Sequence, residues 1–193
     1  ATYHEEPEPR FSNNMLVKAL PPLPTDEEIF NSLVVMPRER DAAFRAAPLY
    51  HRLDALSELQ DIFVPFPRHI DAFRSIFGAM RSCYADRDPQ NPVVMSTIMR
   101  AMSGRIATLD RLSQSGGGNG IVLSGCTGVG KTSFVDRFLH NFLGAPVVYH
   151  TTLNGRHCRW PQIKWIRVQA PSTASPAWLA DSVAGPGDAL LGT

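Results

Sequence analysis

Apolar positions are sparse and irregular over the first 46 residues and periodic after them. Leu49, Leu53, Leu56 and Leu59 recur at spacings of four, three and three, which puts them on one helical face and predicts a helix over 48–61. Pro65 and Pro67 then break the pattern, because each disfavours helical geometry in its predecessor. A second helix is predicted over 68–84, with Ile70, Phe73, Ile76, Phe77 and Met80 on its buried side. Residues 86–92 form a turn-rich connector, and Val94, Ile98, Met102, Ile106 and Leu109 mark a third helix over 93–112, weakened by Gly104. Residues 113–120 hold small and polar side chains with four glycines, so they read as a flexible joint.

Beyond the joint the pattern changes to α/β. Residues 121–124 read as a buried parallel strand and 132–142 as the helix after it. Residues 146–150 and 162–169 are two further strands. The Asn154-Gly155 turn signal between them predicts that 147–168 form a hairpin or a pair joined by a loop. The first 46 residues carry Pro7, Pro9, Pro21, Pro22, Pro24 and Pro37 and read as an extended, proline-rich arm; 47–193 are the folded module. Met15 to Pro24 is the arm's apolar exception, suited either to docking on a partner or to packing back on its own domain.

The strand-to-helix junction carries the chemistry. Gly125-Cys126-Thr127-Gly128-Val129-Gly130-Lys131-Thr132 fills the pattern G-x-x-x-x-G-K-[S/T] of a P-loop. Glycines let the backbone approach a phosphate without a Cβ in the way, and the helix that follows presents free amides and a positive dipole end. Lys131 is expected to reach the β- and γ-oxygens of ATP, the Thr132 hydroxyl to ligate Mg²⁺, and Ser133 to contact the α-phosphate or cap the helix. A hydrolytic P-loop enzyme also needs a strand ending in Asp or Asp-Glu. After Lys131 the only acids are Asp136, Asp181 and Asp188, and none follows an apolar strand. The expectation is the first part of a longer ATPase whose parallel-sheet core is incomplete at the C-terminal end.

Charge adds little overall and more locally. The net charge is +1, yet no Asp or Glu lies between Arg137 and Ala180, where Arg156, His157, Arg159 and Lys164 alternate with Trp160 and Trp165. That basic stretch is a candidate for duplex DNA backbone, with a solvated loop as the alternative. Arg100, Arg105 and Arg111 are weaker candidates. Cys83, Cys126 and Cys158 lack C-x-x-C spacing, which speaks against a disulfide frame or a zinc site, and His157-Cys158 supplies too few ligands for a closed one. The acidic, proline-rich start is unlike a secretory leader and no apolar run is long enough to span a membrane, so a cytoplasmic address is expected.

Several segments in order resemble the AAA+ ATP-dependent transposition regulators of the TnsC/TniB family: the apolar stretch 14–23, Phe63-Val-Pro-Phe-Pro-Arg-His69, the turn at 84–89, and the block from Ile121 to Ser172 with its P-loop. The resemblance implies an AAA+ ATPase that oligomerises on duplex DNA when ATP is bound and links a transposase to a target-selection protein. It also implies that Pro67, Arg68 and His69 lie near the adenine. The family's acidic motif, sensors and arginine finger have no matching positions here. Two other readings stay open: a helicase-loader or initiator-like ATPase, and a P-loop small-molecule kinase.

Overall fold

The computed structural model describes residues 1–85, 87–102, 120–153, 155–169 and 176–192. Outside them lie nearly all of the expected joint at 113–120, the second half of the helix at 93–112 with Arg105 and Arg111, Asn154 of the turn, and residues 170–172. In chain order the helices are α1 (Met15–Lys18), α2 (Asp26–Leu33), α3 (Ala42–Arg45), α4 (Leu49–Asp54) running into a 3-10 stretch (Ala55–Asp61), α5 (Pro67–Ala85) and α6 (Pro92–Met102). Then come α7 (Lys131–Arg137), continued by a π-helical stretch (Phe138–Leu143), strands β1 (Val147–Leu153) and β2 (Arg156–Ile163), and α8 (Pro176–Leu191). Backbone contacts group Ala1–Leu23, Ile76–Ile121 and Leu143–Thr193 into one unit, and Pro24–Ser75 with Val122–Phe142 into another. The first 46 residues are thus shared between the two. Among the described residues no helix is long and apolar enough to cross a membrane.

The first unit is built on the antiparallel pair β1–β2, in register from Val147 opposite Ile163 to Leu153 opposite Arg156, with an irregularity between His150 and Thr152. Gly155 turns the chain at φ +74°, which a residue without Cβ adopts at little cost. The second strand therefore starts earlier than the apolar residues 162–169 suggest. Hairpin pairing begins from the turn, and the turn sets the register.

Residues of the supposed arm complete this unit. Asn14 caps α1, its Oδ1 accepting from the amides of Leu16 and Val17 while its Nδ2 donates to the Tyr84 carbonyl at 2.6 Å. Met15, Leu16, Val17 and Leu20 are buried. Arg81 meets Glu6 at 2.8 Å with both side chains almost wholly enclosed, and its guanidinium lies over the rings of Phe11 and Phe77. Removing one member of such a pair typically costs about 3–5 kcal/mol, because the other charge stays buried alone.

His150 is fully enclosed between the hairpin and the N-terminal segment. Gln162 donates its Nε2 to the Leu16 carbonyl, which turns its Oε1 toward His150 Nε2 at 2.8 Å; Nε2 therefore carries the imidazole proton and Nδ1 accepts from the Tyr3 hydroxyl at 2.8 Å. Burial holds the ring below its ordinary pKa. The unfolded chain takes up this proton near pH 6.5 while the folded chain resists until lower pH, so this contribution to stability is complete above that value and is lost as pH falls through the folded one. Urea midpoints measured between pH 7.5 and 5.5 should fall more steeply for the natural chain than for His150→Gln. Equal slopes would remove His150 from the acid response.

The second unit packs α2 and the first half of α5 with α7. Ile29, Leu33, Phe73, Phe134 and Phe138 are buried, and the Phe73 ring meets Phe138 and Phe142 edge-on at centroid distances of 5.0 and 4.6 Å. α2 lies where the prolines implied irregular chain. Its start is fixed by a capping box, in which the Thr25 hydroxyl accepts from the Glu28 amide and the Glu28 carboxylate accepts from the Thr25 amide. The leucines that share one face over 48–61 are helical, as their spacing predicts, and uncovered: Leu49, Leu53, Leu56 and Leu59 are each more than half exposed. Helical spacing aligned them, and no described element of this unit lies over them.

Candidate phosphate-binding site

Residues 122–124 lead into the glycine-rich loop without regular secondary structure. Val122 is 89% exposed, which differs from the buried strand expected there. A parallel strand takes its hydrogen bonds from neighbouring strands, and among the described residues none pairs with this segment.

The loop itself turns through two left-handed glycines, Gly128 at φ +87° and Gly130 at φ +84°. Gly130 is also the N-cap of α7, and it offers no side chain to the first-turn amides. The starts of α1, α2 and α3, by contrast, are closed by the side chains of Asn14, Thr25 and Asp41. An uncapped helix start keeps donors and the positive end of the dipole available to an anion. Lys131, the first helical residue, folds its ammonium back over the loop and donates to the carbonyls of Gly125 and Cys126, each at 2.8 Å. Cys126, Thr127, Val129, Thr132 and Ser133 are exposed around it. The donor set therefore fits a polyphosphate, with the exposed Thr132 hydroxyl as the group suited to Mg²⁺. Among the described residues no cluster of three His, Cys, Asp or Glu side chains is placed to hold a metal ion.

An aromatic cage backs the loop. Phe63 joins Val35 in an isolated antiparallel bridge, N–O distances 2.8 and 3.0 Å, and its ring lies so close to Gly130 that a Cβ there would sit 2.8 Å from the ring edge. Arg137, from the far end of α7, stacks over the Phe63 ring and donates to the Asp61 carbonyl at 2.7 Å. His69 is buried in the first turn of α5, its ring stacked on Phe134 at 5.5 Å and tilted against Phe63 and Phe66. Its Nδ1 accepts from the Phe66 amide at 3.0 Å. Burial keeps the imidazole below its ordinary pKa. Pro67 and Arg68 are exposed beside it. Phe63 and Phe134 escaped sequence reasoning as site residues, although the spacing Phe63, Phe66, His69 hinted at one aromatic cluster.

The basic candidates separate. Arg156, His157 and Arg159 are exposed along β2, and Arg159 lies over the Tyr149 ring at 4.2 Å. Lys164 is drawn inward, its amine donating to the Leu143 carbonyl and its pKa lowered by desolvation, while Trp165 donates its indole N–H to Gly144 at 3.1 Å. Two of the predicted basic and aromatic residues thus serve the chain's own backbone. Arg100 is exposed on α6.

No protein-family model matches this chain, and no curated protein is significantly similar to it.

Proposed function

We propose that this chain binds Mg-ATP at residues 125–133 and is the N-terminal part of an AAA+-type P-loop ATPase with a parallel-sheet core. One observation carries the reading: an uncapped helix start, reached through two left-handed glycines, with the Lys131 ammonium held at the loop by two neutral carbonyls. A polyphosphate supplies formal charge where those carbonyls supply partial charge, so Lys131 gains by exchanging them. The order of motifs resembling the TnsC/TniB regulators supports the narrower function. In that reading ATP gates homo-oligomeric assembly on duplex DNA in the cytoplasm, linking a target-selection protein to a transposase, and Arg156, His157 and Arg159 are the better placed DNA contacts. Hydrolysis requires an acidic strand end that these residues do not contain.

Calorimetric titration with ATP in the presence and absence of Mg²⁺ tests the central claim. Saturable, magnesium-dependent uptake at one site is expected. Heats indistinguishable from dilution in both titrations would sink it.

A further inference from the structure

We infer that Arg137 is a positioning residue for the polyphosphate loop: from the end of α7 its guanidinium holds the Phe63 ring against Gly130 and so keeps the turn ahead of Lys131 in its binding shape. The inference deepens the nucleotide-binding reading above and rests on it.

Each link is a contact within one unit of the chain. Gly130 caps the start of α7 and Arg137 ends it, about 10 Å further along the axis. Phe63 touches both ends. Three of its ring carbons lie 2.8, 3.5 and 3.9 Å from where a Cβ on Gly130 would stand, so the ring edge fills the space that the missing side chain leaves. The Arg137 guanidinium lies over the ring at 5.4 Å from its centroid, within cation–π range, and its Nη2 donates to the Asp61 carbonyl at 2.7 Å. The bridge to Val35 fixes the Phe63 backbone, which leaves displacement of the ring as the freedom that the guanidinium removes. Arg137 does this against a cost: its Nε is buried and has no hydrogen-bond partner among the described residues. Its net contribution to stability is therefore small, and its effect falls on where the ring stands. A turn already in shape before the phosphates arrive loses less freedom on binding them, and affinity rises accordingly.

A double-mutant cycle tests the inference. The natural chain, Arg137→Met, Phe63→Leu and the double variant are titrated with magnesium tripolyphosphate, which has no base, and with Mg-ATP, and each is melted thermally. Arg137→Met keeps an unbranched side chain without the unpaired donor; it should melt close to the natural chain yet bind both ligands about 3- to 10-fold more weakly. Because the guanidinium acts through the ring, the same substitution made in Phe63→Leu should change affinity by less than about twofold. If Arg137→Met fails to fold, Arg137→Gln takes its place in the cycle, and Phe63→Met does so for Phe63→Leu. Natural affinity in Arg137→Met would overturn the inference. So would an equal loss in both backgrounds, which would assign Arg137 to direct contact with the anion or to the general field of its charge, and so would a loss confined to ATP. A natural chain that binds neither ligand overturns the P-loop reading together with this one, whereas the other failures leave that reading standing.

Discussion

Lys131→Ala should weaken Mg-ATP uptake by about 10- to 100-fold while leaving the thermal midpoint almost unchanged. A hydrogen bond to a charged partner is worth about 1.5–3 kcal/mol, and each 1.4 kcal/mol is a factor of ten. The two bonds the ammonium makes in the folded chain go to exposed loop carbonyls, which water satisfies once the side chain is gone. Stability is therefore insensitive to the change and affinity is not. Calorimetry on both proteins reads the difference directly. Equal affinities would mean that the ammonium contributes nothing to the ligand and would remove the main support for a nucleotide site.

Gly130→Ala should destabilise the protein by about 2–5 kcal/mol and weaken polyphosphate binding with it. Two costs combine at this position. A left-handed conformation costs a residue with a Cβ about 1–2 kcal/mol, and forcing a methyl into a filled space costs about 1–3 kcal/mol more. Here the methyl would stand 2.8 Å from the Phe63 ring. That ring cannot easily retreat, because the Val35 bridge holds its backbone and Arg137 lies over its face. Gly128→Ala supplies the control: its φ of +87° carries the same backbone cost, but nothing lies within 4 Å of the added methyl. Urea midpoints should rank the natural chain above Gly128→Ala and Gly128→Ala above Gly130→Ala. Coinciding midpoints for the two variants would show that Phe63 does not press on the loop.

What the sequence disclosed follows from how local each cause is. The tight turn before α7 was legible because its glycines lie within eight consecutive residues, and Gly128 and Gly130 both adopt the left-handed conformation that glycine permits. The helix carrying Phe73 and Phe77 was legible for the same reason, since a stripe at helical spacing both forms the helix and marks its buried side. Leu49, Leu53, Leu56 and Leu59 show where this stops: spacing fixes which residues share a face, whereas burial depends on what lies opposite. α2 forms among prolines that locally favour irregular chain, because the Thr25-x-x-Glu28 capping box satisfies its first-turn amides. α8 runs through Gly185, Pro186 and Gly187, residues that argue locally against a helix. The imidazole of His69 is enclosed by the rings at positions 63, 66 and 134, a set no single stretch of sequence displays.

Glu6 and Arg81 also bear on how the chain can be handled. A version trimmed to begin at residue 21, as the proline content alone would encourage, would strand a guanidinium in an apolar setting and uncover Phe77 and Gln162 at once. Phe11, Asn14, Met15, Leu16, Val17 and Leu20 are interior residues of their unit, and such a cut would take them out of it.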